Sequence, residues 1–232
     1  MAEQQQRAIR TRQEILVATA NAINELSYEK STVTDIAKRA GVTTGAFYFH
    51  FASKEQAAHT LVELQNELSQ RKARATVEAG YPALEAQLRV CADLMDDIVR
   101  DPLVRAGIRL TTEIHILDTP PTASWASWID FNRALILRAC EEGDLRKDMD
   151  VDGVAEFLTA GVAGVHIFSS LLEDLAGLTR RAHVLWVQFI GAHVLPEKTA
   201  YWLGRADSLF RGRAGYPEQW PRLLSHPAEA RR

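Results

Sequence analysis

The spacing of prolines and apolar residues constrains the fold of this chain more than any other feature. No proline precedes Pro82, and between the later prolines apolar residues recur every three or four positions, which places them on one face of an α-helix. Leu84, Leu88 and Cys91, for example, form such a stripe between Pro82 and Pro102. The sustained alternation of apolar and polar residues that is typical of strands is not found. The sequence therefore predicts an all-α protein with about nine or ten helices.

Composition is that of a folded protein in a reducing compartment. The 232 residues are 47% hydrophobic and 25% charged, which is too apolar for a disordered chain. Two cysteines, Cys91 and Cys140, are too few for a disulfide scaffold. The N-terminus lacks the apolar core of a signal peptide, and the most apolar stretch, residues 157–172, is shorter than the ~20 residues that span a bilayer. We expect a cytoplasmic protein with no membrane partner.

Charge is divided unevenly along the chain. Residues 1–54 hold seven Lys and Arg against five Asp and Glu, whereas the remaining residues hold twenty against twenty-five. A small basic head on an acidic body indicates that only the head meets a polyanion such as nucleic acid.

Three regions are predicted from the helix signals. A small unit with short helices and tight turns covers residues 1–52. Ser53 and Gln56 then match a Ser-x-x-Gln capping box, which begins a long helix, so a larger helical domain is expected over residues 53–210. The last stretch, residues 211–232, contains three prolines and is predicted to be an irregular tail.

Residues 31–51 have the pattern of a helix-turn-helix. Thr32 and Asp35 match a capping signal for a first short helix, and Gly41 can adopt the left-handed conformation that ends it. Thr43 can cap a second short helix, with Phe47 and Phe51 on its inner side. The outward residues of that helix are small or form hydrogen bonds, and none is acidic: Thr44, Gly45, Tyr48 and His50. Such a helix can enter a DNA major groove, and Lys54 can reach a phosphate. A plain helical hairpin shows the same pattern.

The string VTTGAFYFHF at residues 42–51, followed by Ser53-Lys54-Glu55, resembles the DNA-binding signature of the TetR family of transcriptional repressors. The match covers about residues 8–60. The resemblance implies a homodimer with a three-helix N-terminal DNA-binding domain and a C-terminal domain for ligand binding and dimerisation, and its partner would be double-stranded operator DNA with palindromic sequence. It also implies DNA contacts at Thr32, Thr34, Thr43, Thr44, Gly45, Tyr48, His50 and Lys54.

A second resemblance concerns the larger domain. Tyr-Phe-His-Phe at 48–51, Leu64-Gln65, RAGIRL at 105–110 and Trp128-Ile129 are similar to the receptors for γ-butyrolactone and related autoregulators of actinomycetes. The resemblance implies a repressor that a small lactone, butenolide or furan releases from DNA, with Trp128 lining the ligand pocket and Gln65 near the polar head of the ligand. Plain core packing is the alternative for Trp128, and a surface position is the alternative for Gln65.

Two further residues are candidates for the ligand site. Val162 and His166 lie on the broad apolar face of the helix expected over residues 154–172. A core or interface histidine is the alternative for His166. The chain departs from the receptor pattern at Thr44, where many members have Lys, and at Ala163, where some have Thr.

Other functions remain open or are excluded. A pseudo-receptor that responds to an antibiotic shares these motifs, and a DNA-binding protein without an effector is a third possibility. The seven histidines form no His-x-x-x-His pair, and no nucleophile elbow or phosphate-binding loop occurs. We therefore expect no enzyme, no metal and no cofactor.

Overall fold

The structure, a computed structural model, describes residues 2–112, 122–173 and 175–216, and these residues form ten helices without a strand. The prediction of an all-α protein is confirmed. The helices are α1 (Ala2–Leu26), α2 (Val33–Arg39), α3 (Thr44–His50), α4 (Lys54–Glu78), α5 (Ala83–Arg100), α6 (Pro102–Thr112), α7 (Thr122–Glu141), α8 (Val151–Glu173), α9 (Leu178–His193) and α10 (Pro196–Phe210).

The head, which we define as α1, α2, α3 and the first half of α4, has its own apolar core. Side chains from all four helices are buried in it: Ile15, Leu16, Ile23, Ile36, Phe47, Phe51 and Leu61. Thr32 and Asp35 form the predicted capping box, and Gly41 has a φ of +67°, the left-handed conformation expected at the turn. Two residues of α6, Ala106 and Leu110, complete the core. The head is therefore packed directly on α6.

The start of α4 differs from the prediction in one detail. Ser53 Oγ accepts a hydrogen bond from Gln56 N at 3.1 Å, as a capping box requires. The side chain of Gln56, however, accepts from Ala52 N at 2.6 Å instead of from Ser53 N. The return hydrogen bond of the predicted capping box is thus wrong by one residue, because the Gln56 side chain accepts from Ala52, the residue before Ser53.

The body, α5 to α10 with the second half of α4, surrounds a larger core. Its bulkiest buried side chains come from α9 and α10: Trp186, Phe189, Trp202 and Phe210. Helix α5 packs against α4, α6, α7, α9 and α10, and its Leu84, Leu88 and Met95 are fully buried, which explains the stripe in the sequence.

Helix α8 keeps much of its apolar surface in solvent. Phe157, Phe168 and Leu171 are 58%, 54% and 78% exposed, and Val184 on the neighbouring α9 is 44% exposed. By length and composition, Val151–Leu172 is the one helix of the described residues that could cross a membrane. The expectation that the apolar stretch is too short to span a bilayer is therefore wrong about its length. In this structure α8 packs against α7 and α9.

Residues 211–216 form turns that are bound to the body. Arg213 pairs with Asp93 at 2.6 Å, and Asp96 Oδ1 accepts from Ala214 N at 3.1 Å. Gly215 O accepts from Thr179 N at 3.0 Å. The rest of the predicted tail, 217–232, lies outside the described residues.

Helices α4 and α6 cross at close range, at Gly107 and Gln65. Gly107 of α6 packs on the side chain of Gln65, which is 2% exposed and donates to Ser69 Oγ at 2.9 Å. A Cβ atom at position 107 would lie 2.5 Å from Gln65 Cβ and 2.7 Å from Gln65 Cγ. Only glycine permits this approach of the two backbones.

We predict that Gly107→Ala lowers the free energy of unfolding by roughly 1–3 kcal/mol, since α4 and α6 must move apart. Gly204→Ala in α10 is the matched control, because nothing lies within 4 Å of the added Cβ, and alanine stabilises an exposed helix position by up to about 1 kcal/mol. Chemical denaturation measures both variants. Equal stability of Gly107→Ala and wild type would contradict the close crossing.

Candidate functional site

Helix α3 presents an uncharged surface to solvent. Thr44 and Gly45 are exposed at its first turn, Tyr48 is 56% exposed and His50 is half-buried. Thr43 caps the helix by accepting from Ala46 N at 3.1 Å. These positions are those expected of a recognition helix, and the absence of acidic residues from α3 lets it approach phosphates.

One exposed residue of α3 was missed by the sequence reasoning. Phe49 is 81% exposed and meets the His50 ring edge-on, with 5.1 Å between ring centroids. Helical geometry gives a signal for it, since roughly 200° separate positions two residues apart, and Phe47 points inward. A phenyl ring on a recognition helix suits the methyl group of thymine in the major groove.

The predicted contacts at α2 differ in their freedom to bind. Thr32 is already occupied, because its hydroxyl donates to Asp35 Oδ2 at 2.6 Å and accepts from Asp35 N at 3.1 Å. Thr34 is exposed in the first turn of the helix. Thr32 therefore fixes the helix start, while Thr34 is accessible to a partner.

Lys54 has a structural role within the head. Its ammonium donates to Tyr28 O at 2.7 Å and to Ser31 O at 2.9 Å, and it lies 4.1 Å from the centre of the Tyr28 ring. Burial lowers the pKa of Lys54, and the charge of Glu29 opposes that shift. Two of its three N–H groups thus hold the loop between α1 and α2 on the start of α4.

We predict that Lys54→Ala lowers the free energy of unfolding by roughly 1–3 kcal/mol, because two charge-assisted hydrogen bonds are lost. Lys38→Ala, at an exposed position of α2, is the control and should leave stability unchanged within about 0.5 kcal/mol. If Lys54→Ala keeps full stability and reduces only the salt dependence of DNA binding by about one unit, the side chain is a phosphate contact instead.

The body contains an apolar cavity of about 90 Å³. Its described lining comes from five helices, α5 to α9, and is mostly aliphatic and aromatic: Gln87, Val90, Cys91, Leu94, Met95, Ile98, Ile108, Thr112, Trp125, Trp128, Phe131, Asn132, Leu158, Thr159, Val162, Ala163, His166 and Trp186. A concave site of this composition, with a few polar groups, is the usual form of a small-molecule site.

Three of the four predicted ligand residues meet at this cavity. Trp128, Val162 and His166 line it together with Ala163, the position at which the chain departs from the receptor pattern. Trp128 packs edge-on against Phe131, with 5.5 Å between ring centroids, and also borders a small groove beside α4. Its indole therefore separates the cavity from the helix that carries the head.

The structure does not bring Gln65 to the cavity. Gln65 is buried where α4 crosses α6, and its amide is bonded to Ser69. The sequence around Gln65 does not reveal this placement, because it depends on Gly107, a residue of another helix on which the Gln65 side chain packs. The side chain of Gln65 therefore fills the contact between its own helix, α4, and α6.

Sequence reasoning also missed the polar residues of the cavity wall. Asn132 of α7 donates to Thr159 of α8 at 3.0 Å, and Gln87 of α5 donates to Asn132 Oδ1 at 3.4 Å. These residues come from three helices, so no local motif identifies them.

Burial, with a smaller contribution from the charge of Arg109, lowers the pKa of His166 to about 4, so His166 is neutral at pH 7.

The described lining of the cavity holds no charged side chain and no cluster of metal ligands. None of its described lining residues carries a charge at neutral pH, and burial raises the pKa of the Cys91 thiol to about 12. Among the described residues no three His, Cys, Asp or Glu side chains are grouped so that they could hold a metal ion. The arrangement suits the binding of an uncharged, largely apolar molecule.

Comparison with known proteins agrees with this geometry. Residues 15–58 match the family model for bacterial regulatory proteins of the tetR family, and residues 81–195 match a tetracyclin repressor-like C-terminal domain. The chain is 29% identical over 196 residues to the A-factor receptor protein of Streptomyces griseus, which covers 83% of this chain and 65% of that protein. It thus spans slightly less than two thirds of that relative.

Solved structures show the same fold over nearly their whole length. A crystal structure of a γ-butyrolactone receptor, described as an ArpA-like protein, is 33% identical and superposes with a TM-score of 0.76 over 88% of this chain and 98% of that one. CprB of Streptomyces coelicolor, in complex with its operator sequence, is also 33% identical, with a TM-score of 0.78 over 88% and 98% of the two chains.

Proposed function

The chain belongs to the TetR family of transcriptional repressors, and we propose that it binds a palindromic operator as a homodimer until a small autoregulator releases it. The relatives are regulators and receptors, so the expectation that the chain is not an enzyme is confirmed. The observation that carries the proposal is that α6 borders the cavity with Ile108 and Thr112 and completes the core of the head with Ala106 and Leu110.

The proposed DNA contacts lie on and around α3. They are Thr34, Thr43, Thr44, Gly45, Tyr48 and His50, with Phe49 added from the structure and with Thr32 and Lys54 acting mainly by holding the head together. Helix α3 has seven residues. One such helix is too short for specific affinity, so two heads must read two half-sites of the operator. CprB, with its operator, supports this arrangement.

The apolar faces of α8 and α9 are the proposed dimer interface. Phe157, Phe168 and Leu171 on α8 and Val184 on α9 are large apolar side chains that a lone protomer leaves in water. Contiguous apolar surface of this kind marks a contact with another molecule. A second copy of the chain covers it and keeps two heads at a fixed distance.

We predict that Phe157→Glu dissociates the dimer, because the interface would have to bury an unpaired carboxylate. Tyr201→Glu, at a position of α10 that is 59% exposed, is the matched control and should remain dimeric. Sedimentation velocity at micromolar concentration distinguishes the two. A wild-type protein that sediments as a monomer would overturn the proposed assembly.

Release is proposed to act through the size of the cavity. At about 90 Å³, it is smaller than the cavity of about 150 Å³ that holds one benzene molecule. A ligand larger than benzene that is fully enclosed there must therefore move the lining helices apart. Helix α6 is tied to the end of α1, since Arg109 donates to Ile23 O at 3.0 Å and Asn24 donates to Pro102 O at 2.8 Å. Displacement of α6 thus changes the position of the head.

The relatives support a γ-butyrolactone as the effector, since they are named as receptors for A-factor and γ-butyrolactone. A butenolide or furan remains part of the proposal from the sequence resemblance. A pseudo-receptor that responds to an antibiotic is the second candidate, because the same apolar wall accepts other lipophilic molecules. A DNA-binding protein without an effector is disfavoured by the cavity beside Trp128. The protein would act in the cytoplasm, on the nucleoid when bound to DNA.

We predict that Trp128→Phe binds operator with near-native affinity but needs a higher effector concentration for release. The indole contacts the ligand while lying outside the head, and a lost contact of about 1 kcal/mol raises the required concentration about fivefold. Trp202→Phe is the control, because Trp202 is buried in the body core outside the cavity lining. Electrophoretic mobility shift with increasing γ-butyrolactone, butenolide or furan measures release. Equal release of Trp128→Phe and wild type would show that Trp128 is only a core residue.

A further inference from the structure

The polar groups of the cavity form a chain with a fixed direction. Thr159 uses its only hydroxyl hydrogen to donate to Ala155 O at 2.8 Å, so its oxygen is left to accept. Asn132 therefore turns its NH₂ group to Thr159, and its Oδ1 turns to the NH₂ group of Gln87. The orientation of the Asn132 amide is thus set by Thr159, and that of the Gln87 amide by Asn132.

This series of hydrogen bonds ends on an acceptor, Gln87 Oε1, to which no described residue donates. Gln87 is 2% exposed, its NH₂ group faces Asn132, and its Oε1 is buried without a hydrogen-bond partner among the described residues. A buried carbonyl oxygen without a partner is costly, and the cost is removed when a donor arrives. The cavity beside Gln87 is the space from which a donor can come.

His166 is a second cavity residue whose free polar atom is a hydrogen-bond acceptor. Ser170 donates its hydroxyl hydrogen to His166 O at 3.0 Å, so Ser170 Oγ, which lies 3.5 Å from His166 Nε2, is left to accept from that nitrogen. The Nε2 atom then carries the proton of the neutral ring, and Nδ1 has a free lone pair. This Nδ1 atom is buried without a hydrogen-bond partner in a side chain that is 4% exposed.

Charge is disfavoured in the same space. The described lining contains no Lys, Arg, Asp or Glu. A carboxylate would therefore lose its hydration without a charged partner among the described lining residues, since Arg109, whose charge acts on His166, is not one of them.

We propose that the cavity selects an uncharged effector whose hydroxyl group donates its hydrogen to Gln87 Oε1, while His166 Nδ1 accepts from a second donor where the effector has one. A hydroxyl-bearing ligand is thus preferred over the corresponding ketone and over a carboxylate. The inference rests on the effector function proposed above and names the chemical class of that effector.

The experiment uses three matched probes and the full chain as the dimer. The probes are α-(1-hydroxyhexyl)-γ-butyrolactone, α-hexanoyl-γ-butyrolactone and the ring-opened carboxylate of the first compound. Isothermal titration calorimetry at pH 7 gives their dissociation constants. The hydroxyl lactone should bind about tenfold more tightly than the ketone, and the carboxylate should bind at least about 100-fold more weakly than the hydroxyl lactone.

Two variants test the role of the acceptor chain. Gln87→Leu removes the free oxygen, and Thr159→Val removes the acceptor that orients Asn132, so both should reduce the hydroxyl preference. Gln13→Leu, at an exposed position of α1, is the matched control and should retain it. Far-UV circular dichroism shows whether each variant is folded, and the comparison of probes in the wild type decides the proposal even if a variant does not fold.

Each result has a defined meaning. Equal or tighter binding of the ketone, binding of the carboxylate as tight as that of the hydroxyl lactone, or no binding of any probe overturns the inference. A hydroxyl preference that is lost in Gln87→Leu supports it. A hydroxyl lactone that binds with this preference and leaves the operator bound in a mobility shift upholds the inference and contradicts the proposed release function.

Discussion

The crossing of α4 and α6 is the contact on which the rest of the molecule depends. Gly107 brings the two backbones so close that Gln65 lies against the glycine itself. Through this crossing one short helix serves two cores, since Ala106 and Leu110 belong to the head while Ile108 and Thr112 face the cavity. Close-packed interiors transmit displacement because they contain little free volume to absorb it. In the proposed mechanism, a change in the cavity would therefore reach the head through α6 alone.

The size of the required effect limits what the effector can be. Inverting a two-state equilibrium from 1:99 to 99:1 needs a preference of about 10⁴-fold, or about 5.5 kcal/mol, for one state. At about 0.8 kcal/mol for each buried methylene, this equals about seven methylene groups that are buried in the DNA-free state only. An alkyl chain of medium length supplies most of that energy in an apolar cavity lined by Leu94, Met95 and Ile98. In our proposal, hydrogen bonds to the acceptors Gln87 Oε1 and His166 Nδ1 would supply the remainder and determine which molecule is bound.

Local signals predicted the parts of the fold that local physics determines. Helix spacing, the cap at Thr32 and the left-handed Gly41 depend on neighbours within a few residues, and the structure has each of them. Lys54 and Gln87 could not be placed in this way, because their partners lie 23 to 45 residues away along the chain. The position of Gln65 depends likewise on a glycine of another helix. Trp128 was found through a family resemblance, since an apolar residue at helical spacing fits a core and a pocket equally well.

Helix α8 determines the direction in which the cavity can enlarge. Its inner face contributes Val162 and His166 to the cavity wall, while its outer face carries the exposed Phe157 and Leu171. In the proposed dimer that outer face is covered by the partner, so outward movement of α8 would break the interface. In that proposal the wall formed by α6 and the start of α7 lies outside the interface. A ligand that expands the cavity therefore displaces α6 more easily than α8, and α6 is the helix that is packed on the head.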